Sequence, residues 1–375
     1  MTPPLGRIGA LVPAATPAGR RGVGLVFAVA TYGYALALAL RAPQLARLDA
    51  AEALAVWAGL GLFWLAAVAP ALVASPPGRR GARAFGARFR ANGAAVAGLV
   101  LLVAALGASL LAPLLATADP LAIEAPETSR YQPPAPGHPM GTDRLGRDVY
   151  SRALYGARVS LGVAVLSALL AVLLGVVYGS AAGLWGGRGD EAMMRVVDGL
   201  LSFPRLLLVL TLVALFDNSV TLLVFAIAAT GWMGMARLVR GEIARLRARG
   251  FVEAAVASGA GRAGVIVRHV LPNAIGPVVV AATLNAGAVI LLESYLSFLG
   301  LGVQPPAPSW GAMAYEGRAA LLSAWWVSGF PAAAITLTVV ALNLVGDGLR
   351  DAFDTRAPEA ARPSHSTLPP ARGGD

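Results

Sequence analysis

Apolar residues run along this chain in long blocks, separated by short links that are basic, charge-balanced or proline-rich. A helix needs about 20 predominantly apolar residues to cross the hydrocarbon core of a bilayer. By that measure eight segments predict spans: Gly22–Leu40, Ala53–Val73, Gly93–Leu115, Leu161–Leu184, Leu200–Phe216, Val220–Met235, Ile275–Leu299 and Val327–Val345. The fifth and sixth are short, and only Asp217, Asn218 and Ser219 part them; that triplet predicts a hairpin tip rather than one long helix. The first block is long for a signal peptide and a second follows after a short polar link. Residues 1–82 therefore predict an anchored helical hairpin, with cleavage left open. Residues 83–157 hold a further helix and an external loop, residues 158–348 the remaining spans, and residues 349–375 a polar tail whose proline-rich end predicts disorder.

Composition fixes the medium. Hydrophobic residues make up 57% of the 375-residue chain and charged residues only 13%, against about 25% in soluble domains. Mean hydropathy is +0.67. The chain reads as all-α, a polytopic membrane helix bundle embedded in the lipid bilayer. It has no cysteine, and its 30 basic residues are all arginine. A disulfide framework, a thiolate metal site, a P-loop lysine and a Schiff-base lysine are thereby excluded. The histidines are scattered at 138, 269 and 365, which predicts no metal site. In a membrane chain a formal charge of +10 marks cytoplasmic loops rather than nucleic-acid binding.

Arginine counts set the orientation. The segment Arg237–Asn273 carries Arg237, Arg240, Arg245, Arg247, Arg249, Arg262 and Arg268 against Glu242 and Glu253, and the link Gly78–Asn92 carries five arginines and no acid. Both should be cytoplasmic. The stretch Ala116–Ser160 balances five arginines against five acids and is rich in proline, which suits an ordered external loop. With eight spans, both termini then face the cytoplasm.

Several side chains invite closer reading. Gly175, Gly179, Gly183 and Gly187 recur every four residues and predict a ridge where another helix packs closely, in preference to a substrate contact. Glu293 is the acid inside an apolar span, beside Ser294 and Ser297. Lipid exposure of a carboxylate is costly, so it either faces a cavity, where it could serve as a gate, or pairs structurally with an arginine or a backbone donor. Glu191, Arg195 and Asp198 share a helix face and predict an ion-pair cluster that stiffens the link after the fourth span. Outside, Asp143, Arg144, Arg147 and Asp148 either touch a docked protein or brace the loop among themselves. Between the sixth and seventh spans, residues 253–273 predict a short helix, a break at Gly259 and Gly261, a second helix, and a proline that ends it. Such a cytoplasmic unit is a docking surface for another protein, or else an amphipathic helix held on anionic lipid by its arginines.

Here the residues carry a resemblance. Glu253-Ala254-Ala255, three residues, Gly259, nine residues, one position, one residue, then Leu271-Pro272 resembles the EAA loop of binding-protein-dependent ABC importer permeases. His269 stands where that pattern usually has an apolar residue. Three further strings, His138–Arg152, Leu296–Gly311 and Asn343–Asp351, resemble the peptide/nickel branch and within it the DppC/OppC-like subunit. The likeness spans roughly 83–356; residues 1–82, with two additional helices, have no counterpart in it.

The resemblance implies a type I ABC importer permease core in a bacterial inner membrane. Its partners would be a homologous permease subunit, two ATPase subunits that hold ATP and Mg, and an extracytoplasmic substrate-binding protein; this chain would bind no cofactor and would not itself be an enzyme. The helix headed by Glu253 would dock in an ATPase cleft, and the cargo would be di- or oligopeptides. A nickel chelate is the neighbouring alternative. A secondary transporter would need more ion-coupling groups than one intramembrane acid, and a membrane scaffold would leave the Glu253–Pro272 loop without a purpose.

This topology predicts that cysteine placed at Ser258 stays unlabelled by an impermeant thiol reagent in intact cells while cysteine at Ser129 reacts. The chain lacks native cysteine, so the background is clean, and external labelling at Ser258 would invert the map.

Overall fold

The computed structural model describes residues 79–123, 129–216, 219–259 and 261–354. The two expected N-terminal spans and the tail from Ala357 lie outside them. Within the described residues the chain is helical apart from isolated bridges at Ala135–His138 and Thr142–Asp148.

The order is α1 (Arg79–Ala91), α2 (Gly93–Leu110), α3 (Ala112–Leu115), α4 (Val149–Trp185), α5 (Gly187–Leu201), α6 (Arg205–Leu215) and α7 (Val220–Arg247). There follow α8 (Gly250–Ala257), α9 (Arg262–Val265), a π-turn (Ile266–Val270), α10 (Leu271–Phe298), α11 (Trp310–Gly317), a 3₁₀ turn (Arg318–Ala320) and α12 (Trp326–Phe353). Among the described residues five helices, α2, α4, α7, α10 (counted from Arg268) and α12, are long and apolar enough to cross a membrane.

Several boundaries move from those the apolar pattern predicts. The apolar runs mark where helices meet lipid, but the helices themselves continue into water: α4 has 37 residues and α7 has 28. Asp148 starts α4 by accepting the Ser151 N–H, and Ser219 starts α7 by accepting the Leu222 N–H. The expected span Leu200–Phe216 is the exception. It holds only the 11-residue α6, which meets α5 at 78°. Eleven residues reach about 16 Å, roughly half the hydrocarbon thickness. Pro204 explains the break, because the residue before a proline is steered out of the helical region.

The bundle is built on α4 against α7. Without a hydrophobic force between helices inside lipid, close approach of small residues supplies the packing. A Cβ on Gly175 would lie 2.5 Å from that of Met235, one on Gly179 2.5 Å from the Ala236 carbonyl, and one on Gly183 2.7 Å from Ile243. Gly187 departs from this ridge. It opens α5 with φ +52° and has no neighbour within 4 Å, so its role is the turn and not the packing. Helices α10 and α12 pack together beside this pair, and α2 lies along α12 and α4. The basic α1 is tied to the end of α12 by the Phe85–Phe353 ring contact at 4.9 Å and by an Asn92–Asp351 hydrogen bond at 3.0 Å.

The link cluster also differs from expectation. Glu191 and Arg195 do pair, at 3.6 Å, but on an exposed surface. Asp198 pairs instead with Arg237, and Asp190 takes Arg240 through three contacts of 2.6–3.0 Å. The acids of α5 thus clamp it to α7 rather than stiffening it from within.

Replacing Gly179 by alanine should lower stability by about 1–3 kcal/mol through overpacking. Gly234→Ala, on the open side of α7, should change it by less than about 1 kcal/mol, in the stabilising direction. Thermal midpoints of the purified variants in detergent would check the contrast.

Candidate functional site

Three groups of residues bear on function, one at each end of the bundle and one inside it. At one end of the bundle α8 follows α7 directly. Val252 is buried and joins Val265, Ile266 and Val270 in an apolar cluster with Val239, Ile243 and Leu246 on the last turns of α7. Ala255 is half-buried against the same cluster. Glu253, Ala254, Ser258 and Gly259 face outward, as do Phe251 and Val256 at 41% and 57% exposure. The loop therefore has a packed base and an exposed, partly apolar crown. Gly259 has φ +84° with no atom crowding it, so the glycine is required by backbone handedness rather than by close approach.

Pro272 does not end a helix, contrary to the sequence expectation. The π-turn Ile266–Val270 runs straight into α10, with the Leu271 N–H donating to the Ile266 carbonyl, and Pro272 sits in the first turn of α10. A widened turn absorbs the proline ring and its missing donor without breaking the helix. Leu271 is half-buried and Pro272 exposed.

Within the bundle Glu293 is fully buried. It accepts hydrogen bonds from Ser160 of α4 at 3.1 Å and from Ser297, one turn on, at 2.8 Å. Ser160 in turn accepts the Trp310 N–H at 3.1 Å, and Ser309 caps α11 3.4 Å from Ser297. Of the two readings of Glu293, the geometry matches the structural one, with hydroxyl donors in place of an arginine or backbone partner. Ser297 belongs to the same junction, whereas the buried hydroxyl oxygen of Ser294 has no hydrogen-bond partner.

In the loop before α4, Asp143, Arg147 and Asp148 are buried, and Arg144 alone of that quartet is exposed. One Asp143 oxygen accepts the backbone N–H groups of Leu145 and Arg147; the other takes the Arg147 guanidinium at 2.7 Å. Arg147 and Arg152 both reach Glu316 of α11, at 2.8 Å and 3.0 Å. Arg152 Nη1 also lies 3.2 Å from Asp143, an ion-pair contact without hydrogen-bond alignment. Burial pushes the Glu316 carboxyl above its ordinary range; Arg147 draws it back and Asp143 reinforces the rise. Asp148 caps α4 and accepts from Thr117 at 2.9 Å, with His138 Nδ1 at 3.0 Å from its other oxygen. These acids and arginines brace the loop; a docked protein would find only Arg144 of the four.

Sequence spacing does not single out Arg152, Glu316 or Ser160. Their contacts join residues 164 and 133 positions apart, and no local pattern reports such a pairing. Arg205 was equally legible, a lone charge in an apolar run, but it does not stand out beside the acid at 293.

A bundle of apolar helices, several of them long enough to cross a membrane, with an ordered loop at one end and a rigidly based crown at the other, defines a membrane protein of several spans. The chain belongs to the family of inner membrane components of binding-protein-dependent transport systems, which matches residues 159–357. The N-terminal transmembrane domain of oligopeptide transport permease C matches residues 82–134. It is similar to the dipeptide transport system permease protein DppC of Bacillus subtilis strain 168, 42% identical over 72% of this chain and 84% of that one. It also resembles the oligopeptide transport system permease proteins OppC of the same strain, 40% identical over 72% and 88%, and of Escherichia coli K12, 42% identical over 72% and 89%.

Asp143→Ala should lower stability by about 3 kcal/mol, since two buried guanidinium groups lose a shared counter-charge. Arg144→Ala should change it by less than about 0.5 kcal/mol. Thermal unfolding of the assembled complex separates them; equal effects would contradict a bracing role.

Proposed function

We propose that this chain is one permease subunit of an ATP-driven importer that carries di- or oligopeptides across the bacterial inner membrane. It forms the path with a homologous permease, receives cargo from an extracytoplasmic binding protein, and couples to two ATPase subunits through the Glu253–Pro272 loop. ATP and Mg act on those subunits, and both termini face the cytoplasm. The peptide cargo is supported by the names of the relatives, which are dipeptide and oligopeptide permeases.

The observation that carries the coupling role is the exposed crown of α8. Phe251, Ala254 and Val256 present apolar surface to water beside Glu253, while Val252 and Ala255 fix the helix to the end of α7. An exposed apolar patch on a rigid base marks a protein contact. The small Ala254 lets the helix lie close within a cleft, and the early acid favours the positive end of the helix. A lipid-anchored helix would instead depend on its arginines.

Gly259→Val forces a β-branched residue to positive φ, and Ala254→Trp fills the contact face. Each should reduce co-purification of the ATPase subunits and peptide-stimulated ATP hydrolysis by about tenfold or more, the scale of a lost interface anchor. Membrane insertion should be unchanged. Arg245→Ala should be nearly silent; if it uncouples and Gly259→Val does not, the loop is a lipid anchor.

A further inference from the structure

Arg205 opens α6, inside the membrane-embedded part of the chain. Its guanidinium lies over Gly231 of α7, where an added Cβ would come within 2.8 Å of Nη2 and 3.2 Å of the Ala171 side chain on α4. Ala171 is near the middle of the apolar run 161–184, and Gly231 lies well inside the run 220–235. The charge therefore sits deep in the membrane. Its neighbours are the Thr230 hydroxyl at 3.5 Å and the Ile227 carbonyl at 3.4 Å, both at the outer limit of a hydrogen bond. Among the described residues no carboxylate is within ion-pairing distance of it. The acid that is buried in the bundle, Glu293, is bonded to Ser160 and Ser297 instead.

A cation at that depth faces a polar cavity or an anion, because lipid contact is costly and the headgroups are too far for a mid-span side chain to reach. The break in the chain adds to the positive field. No side chain caps the first turn of α6, so its free N–H groups point into the same region. A half-helix that starts near the bilayer midplane next to a guanidinium with no carboxylate partner suits a carboxylate. Arg205 keeps part of its surface open, while its guanidinium end rests on Thr230 and Gly231 of α7.

We propose that Arg205 and the uncapped start of α6 form a carboxylate subsite on the translocation path, occupied by the C-terminal carboxylate of a peptide in transit. This rests on the peptide-importer reading above. A carboxylate side chain of the partner permease is the other source of the same chemistry, and the test separates the two.

The complete transporter is reconstituted in proteoliposomes with its binding protein, and uptake of labelled dialanine is compared with that of dialanine amide, each at saturation. The binding protein is the same throughout, so its own preference cancels in the ratio of variant to wild type. Arg205→Gln should lower dialanine uptake about tenfold, the scale of one charge-assisted hydrogen bond, and amide uptake less than about twofold. Arg205→Lys should recover most of the dialanine uptake. An equal loss for both cargoes, or no loss, overturns the subsite. So does failure of the variant to co-purify with the partner permease, which would assign Arg205 to the subunit contact. If the wild-type complex accumulates neither dipeptide, the peptide-importer reading itself fails, and the subsite falls with it.

Discussion

The approach of α4 to α7 across Gly175, Gly179 and Gly183 is the contact on which the other arrangements depend. Side chains there would collide with Met235, Ala236 and Ile243. Because the two backbones lie so close, the C-terminal end of α7 is fixed relative to the centre of the bundle. Arg247 then donates to the Gly183 carbonyl at 2.8 Å, tying the last turn of α7 to the last turns of α4. The apolar cluster that seats Val252 and Val270 is built on that same end. A push on the exposed crown of α8 is therefore delivered to α4 and α7 together.

The broken pair α5 and α6 is the consequence of a conflict between two tendencies. The apolar run favours a straight span, while Pro204 forbids helical backbone immediately before it. The resolution lays α5 against α7 through Asp190–Arg240 and Asp198–Arg237 and leaves α6 with a length of only about half the hydrocarbon thickness. Its apolar residues Val209 and Val213 bury in one cluster with Leu223 and Ile227, which compensates for its shortness. One bend thus yields a clamp on α7 and a half-length helix that begins with a charged residue.

How much of this was legible beforehand varies with the range of the interaction. Five of the six apolar runs from Gly93 to Val345 correspond to long helices, since hydropathy reports lipid contact directly, while Leu200–Phe216 is broken at Pro204. Their ends were not legible, because polar residues at 149–160 and 237–247 extend helices beyond the bilayer without changing the apolar pattern. The glycine ridge could be read for three positions; Gly187 keeps the spacing but follows Gly186 at φ +64° and so starts a new axis. The helix–break–helix course that starts at Glu253 was legible from its glycines, and its end was misread only where a π-turn lets Pro272 continue a helix. The brace around Asp143 was half legible. The acids and bases are adjacent in sequence, but whether they face inward is decided by Glu316, which folds back from 164 residues away.

Both ends of α4 are anchored, and this bears on how a permease of this kind can move. At the N-terminal end of α4, α11 is held to it twice, through Glu316 to Arg152 and through Trp310 to Ser160 and the Ala153 carbonyl. Glu293 brings α10 into the same junction by sharing Ser160. A carboxylate with two hydroxyl donors in a dry setting is costly to pull apart, since each separated group would be left unsatisfied. The C-terminal end is held by the glycine contact and by the cluster around Val252. A motion that slid α4 past α7 or α10 would break several of these contacts at once. Helices α4, α7, α10 and α11 are thus built to travel together, and the surface left for relative movement is the outer flank of the bundle, where Leu207, Leu215 and Phe225 remain exposed. Under the proposed function, alternating access by a pair of such subunits would reduce to displacement of one bundle against another, driven at the crown of α8.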